Sequence, residues 1–502
     1  MELTEIFTKK NIEVLRLLSK ESLHIRDIAG KLDISPAKVH STIQLFKKHN
    51  LIKENKEKNK IVISLNKEST LLKNIIDLLN ANNVDVSFEP KMNIFDTISP
   101  LDFRYYGRNE RIFQKLQPYL SENAMIRHMA KVEAALTNIL AKKGICSKKV
   151  ADEVEKASKK ISAEEVYVEE DKLKHNVRAL VNCIRNRVSD EAKPFIHFTA
   201  TSHDIISTAD ALRCKEFTNS ILIPALIDFE KTLIDLALRE RNTLQVGRTH
   251  GQHAVPITFG FALAQYVSRF GNSILKIRKS GNNLRGKIAG AVGSYNASSL
   301  FFRNPEEFEK QVLQELNLKP SPISTQIPEA EFMVDYVNAV VESFGVLANL
   351  SDDMRNLQRS EIAEVGEIFT SKQVGSSTMP QKRNPINFEN VKSLWKEFMP
   401  RIITLYSDQI SEHQRDLTNS ASSRFIPEIL AAFYISVKRL NRTMKSLNVD
   451  EKNLKKNFDM NKGLIVAEPL YILLAAYNHP DAHEAVKQLT LKAQSTKKPL
   501  QE

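Results

Sequence analysis

The sequence predicts a mainly α-helical protein in which a small winged helix-turn-helix domain precedes a bundle of long helices. The 502-residue chain contains only 15 Gly and 18 Pro, and sandwiches or barrels need more turn residues than this. Four stretches of about 20 residues or more repeat apolar residues at the 3.6-residue helical period, which is typical of bundles. These stretches are 221–240, 259–278, 333–360 and 388–407.

The first 65 residues are predicted to form a unit of their own. The pattern indicates a helix over 12–18, a short helix over 25–32, a turn at DISP, a helix over 37–49 and a charged hairpin of two short strands. This is the order of a winged helix-turn-helix. The exposed face of the last helix is predicted to carry Lys38, His40, Ser41 and Gln44.

The net charge of this first unit indicates which kind of molecule it could bind. Residues 1–65 hold 13 Lys or Arg and 8 Asp or Glu, a net charge of +5. A basic surface of this kind permits contact with nucleic-acid phosphates. The unit is therefore a candidate for binding DNA, and a role in protein contact stays open because a fold alone does not fix a function.

Composition excludes several classes of protein. Hydrophobic residues make up 42% and charged residues 26% of the chain, so it is not a disordered polypeptide. Cys146, Cys183 and Cys214 lack the spacing of a disulfide framework or a zinc site. We find no apolar run long enough to span a membrane and no secretory signal core, and therefore expect a cytoplasmic protein without membrane partners.

Three dense polar clusters lie between the predicted long helices. They are FIHFTATSHDIISTA, QVGRTHGQHAVPITFG and VGSSTMPQKRNPINFEN. In the third cluster a glycine and two serines open a loop that Pro380 and Pro385 close. Backbone N–H groups of such a loop can form an anion site, and Lys382 would add positive charge to it.

The third cluster contains GSSTMPQKRNP, which closely resembles the signature of the fumarase/aspartase superfamily. From about Ser99 to Val486 the chain resembles the adenylosuccinate lyase family, through SPLDFRYYG, GRTHGQHAVPITFG, GKIAGAVGS and EHQRDLTNSASSRFIPE. The resemblance implies a fumarase/aspartase-like long-helix bundle and a homotetramer whose active sites take their motifs from three subunits. The expected domains are a winged helix over 1–65, a helix and linker over 66–98, an N-terminal lyase domain over 99–205, a central bundle over 206–445 and a short C-terminal domain over 446–502.

The resemblance also implies a reaction: β-elimination of fumarate from adenylosuccinate to give AMP, and from succinylated aminoimidazole carboxamide ribotide. It assigns Ser376 as general base, His250 as general acid, His175 as a second histidine that assists the acid, and Lys382 as a holder of the succinyl carboxylates. It implies no cofactor and no metal. The substrate contacts that it implies are Arg104, Tyr105, His197, Thr201, Ser202, Gln252, Ser377, Met379, Asn384, Arg415, Ser420 and Arg424.

Three other interpretations stay open. A 3-carboxymuconate cycloisomerase-like enzyme shares much of the signature, and argininosuccinate lyase shares MPQK but differs in the histidine motif. Arg415, Arg424 and the Arg104-Tyr105 pair favour a phosphate-bearing substrate over both. The third interpretation, a DNA-binding regulator that senses purine intermediates, is disfavoured by the intact set of Ser376, His250 and Lys382. The family more often has Asp where this chain has Asn176, which leaves the orientation of His175 to be determined.

Overall fold

The structure, a computed structural model, describes residues 8–57, 60–73, 75, 97–368, 378–379, 381–461, 463–496 and 498–500. The chain divides into two compact units, one ending at Ile98 and the other beginning at Ser99. Most of the segment 66–98, where a helix and a linker are expected, lies outside the described residues. Within the ranges just given, no helix is long and apolar enough to cross a membrane.

Three helices and three short strands of the first unit lie wholly within the described residues, and residues 70–73 and 75 are also helical. Ser35 caps the third helix by accepting the N–H of Lys38, and Pro36 occupies its first turn, where a missing N–H costs nothing. A buried hydrogen bond of 2.8 Å from Thr42 to Asn11 joins the third helix to the first. In chain order the elements are α1 (Lys9–Lys20), β1 (Leu23–His24), α2 (Ile25–Leu32), α3 (Pro36–Lys48), β2 (Ile52–Glu57) and β3 (Lys60–Leu65), with β3 antiparallel between β1 and β2.

The second unit begins with a layer of shorter helices. A π-helical turn at Leu101–Tyr106 leads into this layer. The helices are α4 (Glu110–Leu120), α5 (Glu122–Lys142), α6 (Lys148–Ser158), α7 (Ala163–Leu173) and α8 (Asn176–Arg185). Apolar side chains on α5 are buried along its length, so this helix anchors the layer to the rest of the core.

Long helices form the centre of the second unit. Their buried faces build one continuous hydrophobic core with the preceding layer. The first two helices join without a break through a π-helical turn at Thr218–Leu222. The helices are α9 (Ser202–Phe217), α10 (Ile223–Arg239), α11 (Phe259–Asn282), α12 (Pro305–Glu315), α13 (Glu331–Leu357), α14 (Ile386–Phe398), α15 (Ile402–Ser407) and α16 (Ile426–Lys445).

Short strands and three terminal helices complete the unit. The strands are β4 (Leu244–Thr249) and β5 (Gln252–Thr258), which form a hairpin, and the two-residue β6 (Arg285–Gly286), β7 (Lys319–Pro320), β8 (Val365–Gly366) and β9 (Asn448–Val449). The last helices are α17 (Glu451–Asp459), α18 (Ala467–Ala476) and α19 (Ala482–Thr496).

One predicted helix is interrupted. The pattern over 388–407 predicts a single helix, but α14 ends at Phe398 and α15 begins at Ile402 after a 3₁₀ turn that contains Pro400. Proline has no N–H to donate and its ring clashes with the carbonyl four residues earlier. The single-helix prediction was wrong because the apolar period continues through this break.

Candidate active site

A cavity of about 850 Å³ in the second unit brings together five of the residues singled out from the sequence. They come from segments as distant as residues 175 and 424, which the packing of α8, α9 and the segment before α16 places around one space. The five residues are His175, Ser202, Arg415, Ser420 and Arg424.

Arg415 supplies the clearest anion-binding feature of the cavity. Its Nε and Nη1 atoms are buried and have no hydrogen-bond partner among the described residues. Burial lowers the pKa of this guanidinium, and the charges of Asp416 and Asp408 act in the opposite direction. A buried guanidinium with unused donors is suited to a phosphate, which it can contact through two parallel hydrogen bonds. Ser420 and Arg424 line the same cavity.

His175 stands at the start of α8. Its Nδ1 accepts the backbone N–H of Arg178 at 3.2 Å, so the histidine is the N-cap of that helix. Nδ1 is thereby an acceptor, and the neutral ring carries its proton on Nε2. Asn176 does not hold the ring, because its side chain bonds to the N–H of Val177. A backbone group therefore orients His175, in place of the Asp that the family more often has at position 176.

The start of α9 carries Thr201 and Ser202, and a buried network holds the backbone at Thr201. Thr201 N–H donates to Asp204 Oδ2 at 2.8 Å. Asp204 also accepts the N–H groups of Ala289 and Gly290 and forms an ion pair with Lys287 Nζ at 2.5 Å. The N-terminal end of a helix attracts anions through its free N–H groups. This end of α9, with Ser202 in the cavity, can therefore face a carboxylate.

His197 is not among the lining residues of the cavity. Its backbone N–H and its Nδ1 contact the two carboxylate oxygens of Glu133, at 2.9 and 2.7 Å, and the Glu133 side chain is fully buried. Burial opposes the charge on His197, but the charge and hydrogen bond of Glu133 outweigh it and raise its pKa. The residue has a φ of 64°, a left-handed backbone that this double contact helps to hold.

The structure adds two lining residues that the sequence did not single out as substrate contacts. His203 faces the cavity, and burial, followed by the charges of Arg415 and Lys287, lowers its pKa to about 4. Tyr106 also lines the cavity, and burial raises its pKa to about 12. Their position next to motif residues in the sequence was the available signal, but no local pattern shows that a histidine that contacts its own helix, as His203 contacts Ser207 at 3.3 Å, also lines a cavity.

His250 and Gln252 lie outside this cavity at the tip of the β4–β5 hairpin. Thr249 pairs with Gln252, so His250 and Gly251 form a two-residue loop. Both have positive φ, 54° and 74°, as a type I′ turn requires. His250 and Gln252 are exposed. The hairpin thus presents a histidine and an amide at the surface of the chain.

A buried carboxylate fixes the base of the hairpin. The side chain of Glu364 is fully buried and contacts Arg248 at 2.5 Å, Gln245 at 2.8 Å and Asn457 at 2.9 Å. An Arg–carboxylate pair in such a setting has a narrow range of geometries. The arm that carries His250 is therefore held at its root to β8 and α17.

The loop that carries the signature is described only in part. Ser376 and Ser377 lie outside the described residues, whereas Met379, Lys382 and Asn384 lie within them. Lys382 is exposed, and neither it nor Met379 or Asn384 lines the cavity. The end of the loop is fixed, because buried Glu367 accepts the N–H groups of Asn387 and Phe388 at 2.9 and 3.1 Å.

Arg104 and Tyr105 do not meet Arg415 within one chain. Both line a second cleft, while Asp102 and Tyr106 from the same π-helical turn line the cavity. Tyr105 receives a hydrogen bond of 2.9 Å from Asn390. No group of three or more His, Cys, Asp or Glu side chains within the described ranges is placed to hold a metal ion.

Comparison with known proteins identifies the family of the chain. Residues 89–397 match the family described as Lyase, and residues 411–502 match the one described as Adenylosuccinate lyase C-terminal. The adenylosuccinate lyase of Archaeoglobus fulgidus is 34% identical over 79% of this chain and 87% of its own, and that of Pyrococcus abyssi is 35% identical over the same shares. The N-acetyl-S-(2-succino)cysteine lyase of Enterococcus italicus is 31% identical over 72% of this chain and 79% of its own.

Solved structures give the same fold. The 3-carboxy-cis,cis-muconate lactonizing enzyme of Pseudomonas putida superposes with a TM-score of 0.69 at 23% identity, over 77% of this chain and 87% of its own. Fold and matched family together define a lyase with a fumarase/aspartase-like fold. The chain belongs to the adenylosuccinate lyase family, whose members are carbon–nitrogen lyases.

Proposed function

We propose that the chain cleaves adenylosuccinate into AMP and fumarate, and removes fumarate from succinylated aminoimidazole carboxamide ribotide in the same way. The observation that carries this proposal is Arg415, which lines the cavity together with Ser420 and Arg424 and has two buried donors without a partner among the described residues. A phosphate is the substrate group that such donors match. The cycloisomerase alternative has no phosphate to place there.

Another part of the cavity lining suits the succinyl group. Ser202 lies at the N-terminal end of α9 and His175 at that of α8, so positive helix ends and a histidine face one space. In the proposed reaction, a base takes the proton from the carbon next to a carboxylate, the C–N bond breaks, its electrons go to the nitrogen and a C=C bond forms. An acid protonates that nitrogen as it leaves. Charge develops on the carboxylate, where fixed donors stabilise it most.

We assign the base to Ser376, the acid to His250, and the support of the acid to His175. Lys382, Asn384 and Met379 would close the succinyl end with Ser377, and Gln252, Thr201 and His197 would complete the polar wall. A serine needs stabilisation of its oxyanion to act as a base. Lys382 near the N–H groups of a closed loop would provide it.

We propose that the working form is a homotetramer that shares its sites. His250 and Gln252 are exposed on a hairpin and do not line the cavity of their own chain. Lys382, in the signature loop, is also exposed and does not line that cavity. Phe261 and Leu275 on α11 are 69% and 61% exposed, as expected of helix faces that another subunit covers. In such an assembly Arg104 and Tyr105 would reach a phosphate only in a neighbouring site. A cytoplasmic location fits this function.

The experiment is the ultraviolet absorbance change of adenylosuccinate with the purified protein, beside a Ser376→Ala variant. Release of AMP and fumarate, lost in the variant, supports the proposal. Absence of turnover by an assembled tetramer, with turnover of carboxymuconate instead, would replace it with the cycloisomerase. Succinylated aminoimidazole carboxamide ribotide, tested in parallel, shows whether both substrates are used.

We further infer that the first unit is a winged helix-turn-helix that contacts DNA. Its element order and its β1-β3-β2 sheet support this, and α3 contains no acidic residue while Lys38, His40, Gln44 and Lys47 are exposed on it. Such a helix can enter the major groove. Fluorescence anisotropy of labelled duplex DNA tests this: binding should weaken with salt and with Lys38→Gln, whereas Lys160→Gln in the second unit should have no effect. An affinity for DNA that does not change with salt concentration would contradict this inference.

A further inference from the structure

The start of α14 is capped by a carboxylate from another segment. Pro385 occupies the N-cap position and makes no side-chain hydrogen bond there, because proline has no side-chain acceptor. Glu367, which follows β8, takes this role: its Oε1 accepts the backbone N–H groups of Asn387 and Phe388. The first N–H groups of a helix have no partner within the helix. Glu367 therefore fixes the backbone where α14 begins.

The side chain of Asn387 is oriented by a carboxylate on one side and a cation on the other. Its Nδ2 donates to Glu367 Oε2 at 2.6 Å, and its Oδ1 accepts Arg439 Nη1 at 2.8 Å. The amide cannot turn over, because its NH2 group would then meet a guanidinium, which has only donors. The two charges together therefore determine a single orientation of the Asn387 side chain.

The carboxylate of Glu367 is buried and accepts its hydrogen bonds from N–H groups. Glu367 is 7% exposed, and burial raises its pKa, while the hydrogen bonds of Asn387 and Phe388 act in the opposite direction. The three hydrogen bonds to its oxygens are all donated by N–H groups. These contacts suit the ionised form. An amide at position 367 would turn an N–H donor toward the donors of its neighbours, which is unfavourable in a buried place.

The backbone of Glu367 makes a second contact with the same segment. Its N–H donates to Gln358 Oε1 at 3.1 Å, and Gln358 Nε2 donates to the carbonyl of Arg383 at 3.3 Å. Arg383 lies between Lys382 and Asn384. Glu367 therefore restrains this segment at two points, one before α14 and one in the first turn of the helix.

We propose that Glu367 is a positioning residue for the lyase reaction. It acts through Gln358 and Asn387, and the backbone that these contacts fix carries Lys382 and Asn384. This inference rests on the proposed function, in which those two side chains hold the succinyl carboxylates. Charge develops on a carboxylate as the neighbouring carbon loses its proton, and fixed donors stabilise that charge best. A displacement of about 1 Å in this segment is therefore expected to lower kcat strongly.

The test exchanges the two side chains that form the contact. Glu367→Gln brings two NH2 groups together, and Asn387→Asp brings two carboxylates together. The double variant, Glu367→Gln/Asn387→Asp, restores one donor and one acceptor and leaves a carboxylate for Arg439 to pair with. We expect each single variant to lower kcat at least tenfold with a change in KM below threefold, since the lost interaction belongs to the transition state. The double variant should recover to within threefold of the wild type.

Steady-state turnover of adenylosuccinate is measured on the purified full-length protein, together with thermal unfolding. Glu216→Gln in α9 is the control for lost stability: it also removes a carboxylate with two side-chain partners, both in α5, and should leave kcat within twofold. If Glu367→Gln does not fold, Gln358→Leu carries the test, because it removes only the link between the Glu367 N–H and the Arg383 carbonyl. It should lower kcat at least threefold.

Two results would overturn the proposal. Single variants that lose stability but keep the kcat of the wild type would show that Glu367 only supports the fold. A double variant no more active than the single variants would show that the contact between positions 367 and 387 does not set the activity. A wild type that does not cleave adenylosuccinate refutes the proposed function instead, and the same variants are then compared on carboxymuconate.

Discussion

Lys287 and Asp204 form an ion pair of 2.5 Å in which neither side chain is exposed to solvent. The pair joins the N-terminal end of α9 to the glycine-rich segment at Gly290, whose carbonyl Lys287 also contacts at 2.8 Å. Each charge has lost its water and depends on the other. The wall that carries Thr201 and Ser202 therefore rests on a contact between residues 83 positions apart in the chain.

Asp204→Asn should destabilise the protein by about 3–5 kcal/mol, because it leaves the Lys287 ammonium buried without a counter-charge. The double variant with Lys287→Met should recover part of the loss, since no unpaired charge remains. Chemical denaturation measures both. Asp459→Asn, in an exposed pair with Lys455, is the control and should cost under about 1 kcal/mol. Equal losses in the single and double variants would contradict this account.

Glu133→Gln should lower stability more in acid than in base. The pKa of His197 is raised in the folded protein, so the stability that the pair contributes is complete below the ordinary histidine pKa of about 6.5. It is lost as the pH rises through the raised value. Thermal unfolding of the variant and the wild type, measured from below pH 6.5 to above the raised pKa of His197, gives the difference in stability at each pH. A difference that does not change with pH would show that His197 stays neutral.

Arg415→Gln should remove discrimination between AMP and adenosine. The lost contact is a charge-assisted hydrogen bond, worth about 1.5–3 kcal/mol, or roughly a 10- to 150-fold weaker affinity for AMP. Adenosine lacks the phosphate, so its affinity should change little and serves as the internal control. Calorimetry of the two ligands measures the ratio. If adenosine and AMP weaken equally, Arg415 acts on the shape of the cavity and does not bind the phosphate.

Mixing two inactive variants should restore activity. If His250 acts in the cavity of another subunit, His250→Ala and Arg415→Gln tetramers that exchange subunits form some sites with neither change. Random exchange of equal amounts gives about a quarter of the sites intact. Turnover is measured before and after exchange, with His250→Ala mixed with itself as the control. No recovery after demonstrated exchange would place both residues in sites made by one chain.

The sequence predicted much of this structure because the relevant signals are local. The element order of the first unit and the long helices follow from periodicity, and the N-cap Ser35 with Pro36 marks the start of α3 as expected. Motif resemblance pointed to His175, Ser202 and Arg415, which the structure brings together. The roles of Ser376 and Ser377 stay predictions, since both lie outside the described residues.

What could not be predicted depends on contacts between distant segments or on side-chain direction. No local pattern reports that Glu133 meets His197 or that Asp204 meets Lys287. The directions of the side chains in the π-helical turn at Leu101–Tyr106 could not be predicted either, because a π-helix is wider than an α-helix and different residues share a face. Tyr106 therefore lines the cavity while Tyr105, one residue earlier, lines the second cleft.

At the turn formed by His250 and Gly251, the backbone conformation of the hairpin and the identity of the side chain at position 250 can change independently. A left-handed backbone at a non-glycine position is tolerated best by Asn, Asp and His. Replacement by Asn would keep the arm and remove the titratable ring, whereas a β-branched residue would disturb the arm itself. If His250 is the acid that we propose and the hairpin contacts another subunit, one substitution at this position would remove catalysis and keep those contacts, which is a short route from an enzyme to a ligand-binding protein.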